Sequence, residues 1–267
     1  MAEFTGKAAF ITGAARGQGR VTALALAREG ADILAFDLGV KIEYPGYAHA
    51  AGEELESLQA EIEALGQRCV VALGDVRDDA AVSAAVEAAM AAFGRIDILF
   101  NNAGICAYAE VDAMTDTEMD AMIDINLKGP MIVARRVVPI MKAQKSGVII
   151  NNSSVMGLRG GRRLSHYAAS KWGLTGLTKS WAIELAPWDI RVVSIHPTGV
   201  NTPMNDGLAA LEGKTPKEIA EASAGNLQPV PWIECEDVAE MVVYLASEKA
   251  RFVTGAQFVI DAGLLTA

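Results

Sequence analysis

The sequence predicts an α/β fold in which one doubly wound, parallel β-sheet is covered by helices on both faces. Short, almost continuously apolar runs alternate with longer segments of helical periodicity, which is typical of buried parallel strands joined by right-handed crossovers. A glycine-rich turn separates the first such run from the first helical segment. No linker or break in composition divides the 267 residues, so we expect 1–267 to form one domain.

The individual elements follow from the apolar periodicity and from glycine or proline at the ends of each run. Strands are predicted at 7–12, 31–37, 68–75, 96–104, 147–154, 190–197 and 255–261. Helices are predicted at 20–30, 53–66, 81–94, about 117–145, 165–187 and 236–247. The stretch 200–232 is expected to be irregular and to form a substrate loop. In such sheets, ligands bind beyond the carboxyl ends of the strands.

Composition and charge exclude several classes of function. The net charge of −10 disfavours binding to nucleic acids, whose affinity for proteins depends on clustered Lys and Arg. No apolar run approaches the roughly 18 residues needed to cross a bilayer, and the N-terminus lacks a signal-peptide pattern. We therefore expect a cytoplasmic protein whose partners are small molecules.

Cysteine and histidine spacing gives no sign of a metal or disulfide site. Cys69, Cys106 and Cys235 are widely scattered, as expected of buried thiols in a reducing compartment. The three histidines lack metal-ligand spacing, so we interpret them as structural and expect no metal site. They are His49, His166 and His196.

The segment TGAARGQG (12–19) predicts a phosphate-binding turn. Gly13, Gly17 and Gly19 lie between the first strand and the first helix, where small residues let a pyrophosphate approach the helix N-terminus. Arg16 and Gln18 belong to the same turn. A glycine turn without a ligand is the alternative interpretation of this spacing taken alone.

The residue at the end of the second strand favours NAD as the cofactor. Asp37 follows Gly19 by 18 residues, where a carboxylate accepts hydrogen bonds from ribose hydroxyls and repels a 2′-phosphate. Arg16 is the opposing signal, because an arginine there can pair with that phosphate of NADP. Further contacts with the cofactor are expected at the ends of the second, third and fourth strands. They are Leu38, Asp75, Val76, Asn102, Ala103 and Gly104.

The segment YAASK supplies the candidate catalytic pair. Tyr167 and Lys171 are four residues apart in a predicted helix, so both project from one face. A nearby ammonium is expected to lower the pKa of the phenol and so to fit Tyr167 for general acid/base chemistry. Ser154 lies 13 residues earlier and is suited to hold the substrate oxygen, with Ser153 as the competing choice.

Two further observations concern residues around this pair. Asn126 places an amide inside an apolar helix, where it needs partners, and a water-holding role is plausible. A hydrolase triad of Ser154, His166 and an aspartate is the less favoured alternative, because the GxSxG pattern is absent around the serine.

These motifs together resemble the short-chain dehydrogenase/reductase family over essentially the whole chain. They are TGAARGQG, Asp37, NNAG at 101–104, Asn126, Ser154 and YAASK. The resemblance implies a Rossmann fold, and its spacing selects Ser154 over Ser153 and assigns Asn126, Tyr167 and Lys171 to the catalytic set. It also implies that Tyr167 and Lys171 contact the nicotinamide ribose and that the protein is a homotetramer.

Two features resemble the carveol dehydrogenase-like, mycofactocin-associated subfamily. One is the long connection at 38–52, and the other is HPTGVNTPM (196–204), in which Thr198 separates Pro197 from Gly199. The resemblance implies that Pro197, Val200 and Thr202 contact the cofactor. It also implies tightly held NAD, with mycofactocin as a possible external redox carrier.

The connection at 38–52 is longer than the usual strand-to-helix loop of about 2–6 residues, so we interpret it as a cover over the adenosine half of NAD. Tyr44, Pro45 and Tyr47 would supply its contacts. A surface loop without ligand contact is the alternative.

The resulting expectation is an NAD-dependent enzyme that interconverts a hydrophobic secondary alcohol, such as a terpenoid alcohol, and its ketone. The apolar residues of the substrate loop are Met204, Leu208, Leu211, Leu227, Val230 and Trp232. A broad ketoreductase of acyl, steroid or sugar ketones and a non-catalytic NAD-sensing protein are the alternatives.

Overall fold

The computed structural model describes residues 2–40, 43–47, 52–223 and 225–266. Within them, seven parallel strands form one sheet in the order β3-β2-β1-β4-β5-β6-β7. The strands are β1 (Ala8–Thr12), β2 (Asp32–Asp37), β3 (Cys69–Leu73), β4 (Ile98–Asn101), β5 (Gly147–Asn152), β6 (Ile190–Pro197) and β7 (Gln257–Ile260). The strand order reverses between β1 and β4, which places a crevice at their carboxyl ends.

The described α-helices connect these strands or follow β6. They are α1 (Gly17–Arg28), α2 (Gly52–Ala64), α3 (Asp79–Phe93), α4 (Asp116–Ile123), α5 (Gly129–Gln144), α6 (Ser165–Leu185), α7 (Pro203–Leu211), α8 (Pro216–Ser223) and α9 (Cys235–Ala246). None of the helices in the described part of the chain is both long enough and apolar enough to cross a membrane.

The core has two layers because successive side chains of a strand point to opposite faces of the sheet. Ile11 of β1 packs on one face with Leu26 of α1 and Val238 of α9. Its neighbour Phe10 packs on the other face with Val82 of α3 and residues of α5 and α6. Strands buried on both faces explain the nearly continuous apolar runs. The predicted doubly wound α/β fold is confirmed.

The prediction of one long helix at about 117–145 is wrong in one respect, because the helix is interrupted. A single π-helical stretch, Asp124–Lys128, separates α4 from α5, and the amide of Gly129 bonds to the carbonyl of Asp124 five residues earlier. Pro130 follows at the start of α5 and has no amide hydrogen to continue the regular pattern. The apolar stripe remains continuous, so periodicity alone does not reveal the extra residue in this turn.

The prediction of an irregular stretch at 200–232 is also wrong, because it contains α7 and α8. Pro203 begins α7, where its fixed φ suits the first helical turn. The amide of Thr215 bonds to the carboxylate of Glu218 at 2.8 Å, and the Glu218 amide returns to the Thr215 hydroxyl at 3.2 Å. This capping box begins α8.

Candidate functional site

A cavity of about 220 Å³ opens at the carboxyl edge of the sheet. The following predicted site residues line it: Gly13, Arg16, Gly17, Gln18, Asp37, Leu38, Asp75, Val76, Asn102, Ala103, Gly104, Ser154, Tyr167, Lys171, Pro197 and Thr202. Gly19, Asn126 and Val200 are not part of its wall. The fold thus brings most of the predicted residues together, although they come from separate loops.

The glycine turn forms one end of the cavity. Gly13 and Gly17 have φ values of 66° and 55°, in the left-handed region that favours glycine. A Cβ on Gly19 would lie 2.0 Å from the Gly13 carbonyl oxygen, so Gly19 permits the tight turn without lining the cavity. The first turn of α1 faces the cavity, and its N-cap residue, Arg16, makes no side-chain capping bond. This arrangement suits an anion held by backbone amides.

Asp37 lies beside this turn. Its carboxylate accepts hydrogen bonds from the amides of Ala15 at 2.9 Å and Leu38 at 2.7 Å. Burial raises the pKa of Asp37, and the two amide bonds and the Arg16 charge offset the rise only in part. A carboxylate has about four lone-pair sites, so acceptor capacity remains for two ligand hydroxyls. Arg16 forms an ion pair with Glu54 of α2.

Asp75 lies at the rim, after β3. It accepts hydrogen bonds from the backbone amide and the guanidinium of Arg77, the shortest of them at 2.6 Å. Burial alone would raise the pKa of Asp75, but the bonds and charge of Arg77 outweigh it, and the pKa is lowered. Asp75 is therefore an ionised turn residue that also lines the cavity.

Three side-chain amides form a chain across the floor of the cavity. The Asn102 amide nitrogen donates to the carbonyls of Thr12 at 3.0 Å and Gly13 at 3.1 Å. The Asn152 amide nitrogen donates to Oδ1 of Asn102 and to Oε1 of Gln18, both at 2.9 Å. This chain connects the ends of β1, β4 and β5 with the start of α1.

Tyr167 lines an end of the cavity that is surrounded by apolar side chains. Burial raises the pKa of Tyr167, and interaction with the Ser154 side chain lowers it in part. The expectation that Lys171 lowers this pKa is therefore wrong for the protein as described. The Lys171 ammonium lies 5.6 Å from the centre of the Tyr167 ring and donates to the Asn152 carbonyl at 2.8 Å.

Lys171 is buried among neutral groups. Burial lowers its pKa to about 8, with the neighbouring Cys106 acting in the opposite direction. Within the described part of the chain, the Lys171 ammonium donates one hydrogen bond, to the Asn152 carbonyl, and so has donors to spare for a ligand in the cavity.

The two serines after β5 have different environments. The Ser153 hydroxyl donates to the Lys171 carbonyl of α6 at 3.0 Å and so anchors the helix. The Ser154 hydroxyl accepts from the amide of Met156 at 3.1 Å and faces the Tyr167 phenol. Nδ1 of His196 donates a hydrogen bond to the backbone carbonyl of Ser154 at 2.8 Å. The geometry therefore favours Ser154 as the residue that meets a substrate oxygen.

Asn126 lies in the π-helical stretch. Its Oδ1 accepts from the Ile105 amide and its Nδ2 donates to the Ile105 carbonyl, both at 2.8 Å, with a further bond to Ser170 at 3.3 Å. The side chain therefore fixes the loop after β4. The backbone carbonyl of Asn126 lacks the donor that a regular helix supplies four residues later, because Pro130 occupies that position.

The apolar end of the cavity includes the described part of the 38–52 connection. Tyr47, Cys106 and Leu208 form a buried cluster that packs against Tyr167 and also includes Tyr108, Leu164 and Met204. The Tyr47 hydroxyl accepts from the Cys106 amide at 3.3 Å. Tyr44 bonds through its hydroxyl to Nε2 of His166 at 3.2 Å. Tyr47 therefore lies at the Tyr167 end of the cavity and Tyr44 outside the cavity wall, whereas both were predicted over the adenosine half.

Other predicted residues of the substrate loop are less central. Met204 lines the cavity, whereas Leu211, Leu227 and Val230 are exposed. A Cβ on Gly199 would lie 2.3 Å from Trp232, which packs there instead of lining the cavity. Val200 is buried in the core and pairs with Ile233 through a short bridge. Its predicted contact with the cofactor stays a prediction.

The histidines have structural partners where the structure describes them. His196 is bonded to Ser194 and Ser154, and His166 to Tyr44, so neither activates Ser154 from a side-chain nitrogen. The predicted structural role of His49 lies outside the described residues.

Residues 7–212 match the sequence pattern of the family described as short chain dehydrogenase. The chain belongs to the short-chain dehydrogenase family. A (−)-trans-carveol dehydrogenase from Rhodococcus erythropolis is 42% identical over 98% of this chain and 99% of its own. A 3-oxoacyl-[acyl-carrier-protein] reductase from Thermotoga maritima is 38% identical over 97% and 98% of the two chains.

A solved structure of another short-chain dehydrogenase has the same fold. A carveol dehydrogenase from Mycobacterium avium in complex with NAD superposes with a TM-score of 0.96 at 38% identity and covers 100% of both chains. The predicted resemblance to the family is thereby confirmed.

Sequence reasoning missed several residues of the cavity wall in this short-chain dehydrogenase. They are Phe36, Gly74, Ile105, Ile125, Asn152 and Pro203. Asn152 had a detectable signal, because a second asparagine directly before Ser153 ends an otherwise apolar strand. The apolar residues had none, since core and cavity wall share the same composition.

Proposed function

We propose that the protein is an NAD-dependent oxidoreductase that interconverts a hydrophobic secondary alcohol and its ketone. The observation that carries this proposal is the juxtaposition of the Tyr167 phenol, the Ser154 hydroxyl and the Lys171 ammonium at the apolar end of the cavity. The glycine turn lines the same cavity.

The residues around the glycine turn fit NAD. The backbone amides at the start of α1 suit the pyrophosphate, and Asp37 retains acceptor capacity for the adenosine ribose. The pairing of Arg16 with Glu54 supports NAD over NADP, because that carboxylate offsets the positive charge a 2′-phosphate would need. The NAD complex of the M. avium relative supports the same choice.

When bound, NAD supplies the acceptor for the hydride of the alcohol and, as NADH, the donor for the reverse reaction. In oxidation, Tyr167 removes the proton of the substrate hydroxyl while Ser154 holds its oxygen; in reduction, Tyr167 returns the proton. Lys171 would bind the nicotinamide ribose with the donors that its ammonium has to spare. We assign the water-holding role of Asn126 to its backbone carbonyl, since its amide is fully engaged with Ile105 and Ser170.

The substrate class follows from the side chains around Tyr167. Tyr47, Tyr108, Leu164 and Met204 present aromatic and apolar surface, which favours a neutral, hydrophobic alcohol such as a terpenoid. The carveol dehydrogenase relative supports this class. The similarity to an acyl-carrier-protein reductase keeps a broad ketoreductase as the second candidate.

A substrate and cofactor panel tests the proposal. NADH formation is measured with carveol, a linear secondary alcohol and a sugar alcohol, each with NAD and with NADP. We expect the highest kcat/KM for carveol with NAD. Equal use of NADP would contradict the role of Asp37, and faster reduction of acyl or sugar ketones would favour the second candidate.

The proposal also covers the assembly of the subunits, the location of the protein in the cell and the reoxidation of bound NADH. Met131, Trp172 and Ile183 expose apolar side chains on α5 and α6, and Phe252 and Val259 do so near the edge strand β7, which supports a homotetramer with two kinds of interface. Native mass spectrometry tests the subunit number.

The three buried, unlinked cysteines support a cytoplasmic location. An external carrier such as mycofactocin would reoxidise bound NADH if the nucleotide exchanges slowly.

A further inference from the structure

Asn152 occupies a central position that the proposed mechanism does not use. It ends β5 directly before the two serines, is only 7% exposed and lines the cavity. Its backbone carbonyl accepts from the Lys171 ammonium at 2.8 Å, and its side chain belongs to the amide chain on the cavity floor. The residue therefore lies between the catalytic lysine and the glycine turn.

The amide chain fixes which way the Asn152 side chain points. One amide atom of Asn102 contacts the carbonyls of Thr12 and Gly13, which only accept, so that atom is the nitrogen. The other atom, Oδ1, then faces Asn152 and requires a donor. Asn152 must therefore present its nitrogen here, and its two hydrogens are used by Asn102 and Gln18.

This orientation leaves Oδ1 of Asn152 as a buried acceptor. Among the described residues it has no hydrogen-bond partner. A buried carbonyl oxygen without a partner destabilises the protein, so such an atom on a residue of a cavity wall marks a position where a ligand donor is expected.

The chemistry of NAD restricts which part of it can donate. The pyrophosphate offers only acceptors, so it does not satisfy Oδ1. The adenosine half lies at Asp37 at the end of β2, and β2 is three strand spacings of about 4.8 Å each from β5. The remaining donors are the ribose hydroxyls and the carboxamide N–H group of the nicotinamide riboside half, which must approach Tyr167 and Lys171.

We propose that Asn152 is a cofactor-binding residue whose Oδ1 accepts a hydrogen bond from the nicotinamide riboside half of NAD. This inference rests on the proposed function, because it needs NAD in the cavity. The hydrogen bonds from the Asn152 amide nitrogen to Gln18 and Asn102 would then fix the orientation of Oδ1 for this contact.

Calorimetric titration of nucleotide-free protein tests the assignment. The probes are NAD, ADP-ribose and ADP, and the variants are Asn152→Ala and Asn152→Leu, the second of which fills the space if alanine impairs folding. Both variants should bind NAD about tenfold more weakly, the order expected for one lost hydrogen bond, with ADP affinity unchanged within about twofold. If the affinity for ADP-ribose falls as much as that for NAD, a ribose hydroxyl is the donor. If the affinity for ADP-ribose is unchanged, the carboxamide is the donor.

Asn151→Ala is the matched control. Asn151 is the preceding residue of the same strand, fully buried on the other face, and its amide donates to Thr178 at 2.9 Å. This variant should lower stability without changing the ratio of NAD to ADP affinity. Equal weakening of NAD and ADP by Asn152→Ala, or no weakening of NAD, would overturn the role of Asn152. Wild-type protein that does not bind NAD would contradict the proposed function itself.

Discussion

Lys171 combines the proposed catalytic position with a charge that is costly to bury. The side chain is buried, and a backbone carbonyl is the acceptor of its ammonium. Burial lowers its pKa to about 8. In the unfolded chain the lysine keeps its proton to about pH 10.4, so between these values the unfolded state binds more protons and folding becomes more favourable as pH rises.

A pH series on the nucleotide-free protein measures this effect. Between pH 8 and 9.5 the free energy of unfolding of wild type should rise by about 1.5 kcal/mol relative to Lys171→Met, since the full slope of about 1.4 kcal/mol per pH unit applies only between the two pKa values. Denaturant titrations of both proteins at each pH provide the difference. Parallel pH dependences of the two proteins would mean that the ammonium is not desolvated in the native state.

The adjacent serines offer a test with a built-in control. Ser154→Ala should lower kcat/KM by about 10²-fold or more, because the substrate oxygen loses its hydrogen bond as charge develops. Ser153→Ala removes the bond to the Lys171 carbonyl and should mainly lower stability. Steady-state kinetics and thermal melts of both variants decide between them. A larger kinetic loss for Ser153→Ala would reverse the assignment.

At the scale of elements, α7 closes the apolar end of the cavity by packing against Tyr47. A Cβ on Gly207 would lie 2.6 Å from both Cβ and Cγ of Tyr47, so the helix approaches this ring only because position 207 is glycine. The contact joins the described part of the 38–52 connection to the substrate loop.

Gly207→Ala tests this contact. The added methyl should displace Tyr47 or α7 and destabilise the protein by about 1–3 kcal/mol, with a rise in KM for a hydrophobic alcohol. Gly176→Ala in α6 is the matched helical control, since a Cβ there meets nothing within 4 Å and alanine favours a helix by about 0.5–1 kcal/mol. If both variants are stabilised, α7 does not depend on close packing against Tyr47.

Periodicity predicted the strands and most helices because burial on two faces leaves a strong apolar signal. It did not reveal the π-helical stretch at Asp124–Lys128, whose extra residue leaves the apolar stripe intact. The two short helices after β6 were missed as well. Their signals were local, namely Pro203 and the capping pair Thr215 and Glu218, and the two helices are only nine and eight residues long.

At the scale of the whole molecule, the sheet gathers residues from loops that are far apart in sequence. The motifs at 12–19, 101–104 and 167–171 were predictable because each has a fixed spacing. The position of Tyr47 in the cavity wall was not predictable, since it depends on packing against α6 and α7.

Tyr47 and Met204, which line the cavity and pack around Tyr167, predict slow exchange of the cofactor. Bound nucleotide should copurify and remain after incubation with isotope-labelled NAD, because closure slows release more than entry. Desalting followed by mass spectrometry over time measures the replacement. Tyr44→Phe, which loses the bond to His166, should accelerate it. Complete replacement in wild type within seconds would remove the need for an external carrier.

The central claim is that Tyr167 transfers the proton in an NAD-dependent alcohol oxidation, and Tyr167→Phe tests it most directly. The variant keeps the ring and its packing but loses the hydroxyl. The measurement is the rate of NADH formation in a single turnover with carveol, together with the affinity for NAD. We expect the rate to fall by about 10²–10⁴-fold with NAD affinity unchanged within about twofold. A variant that binds NAD normally and retains more than about a tenth of the wild-type rate, far above that range, would contradict the account.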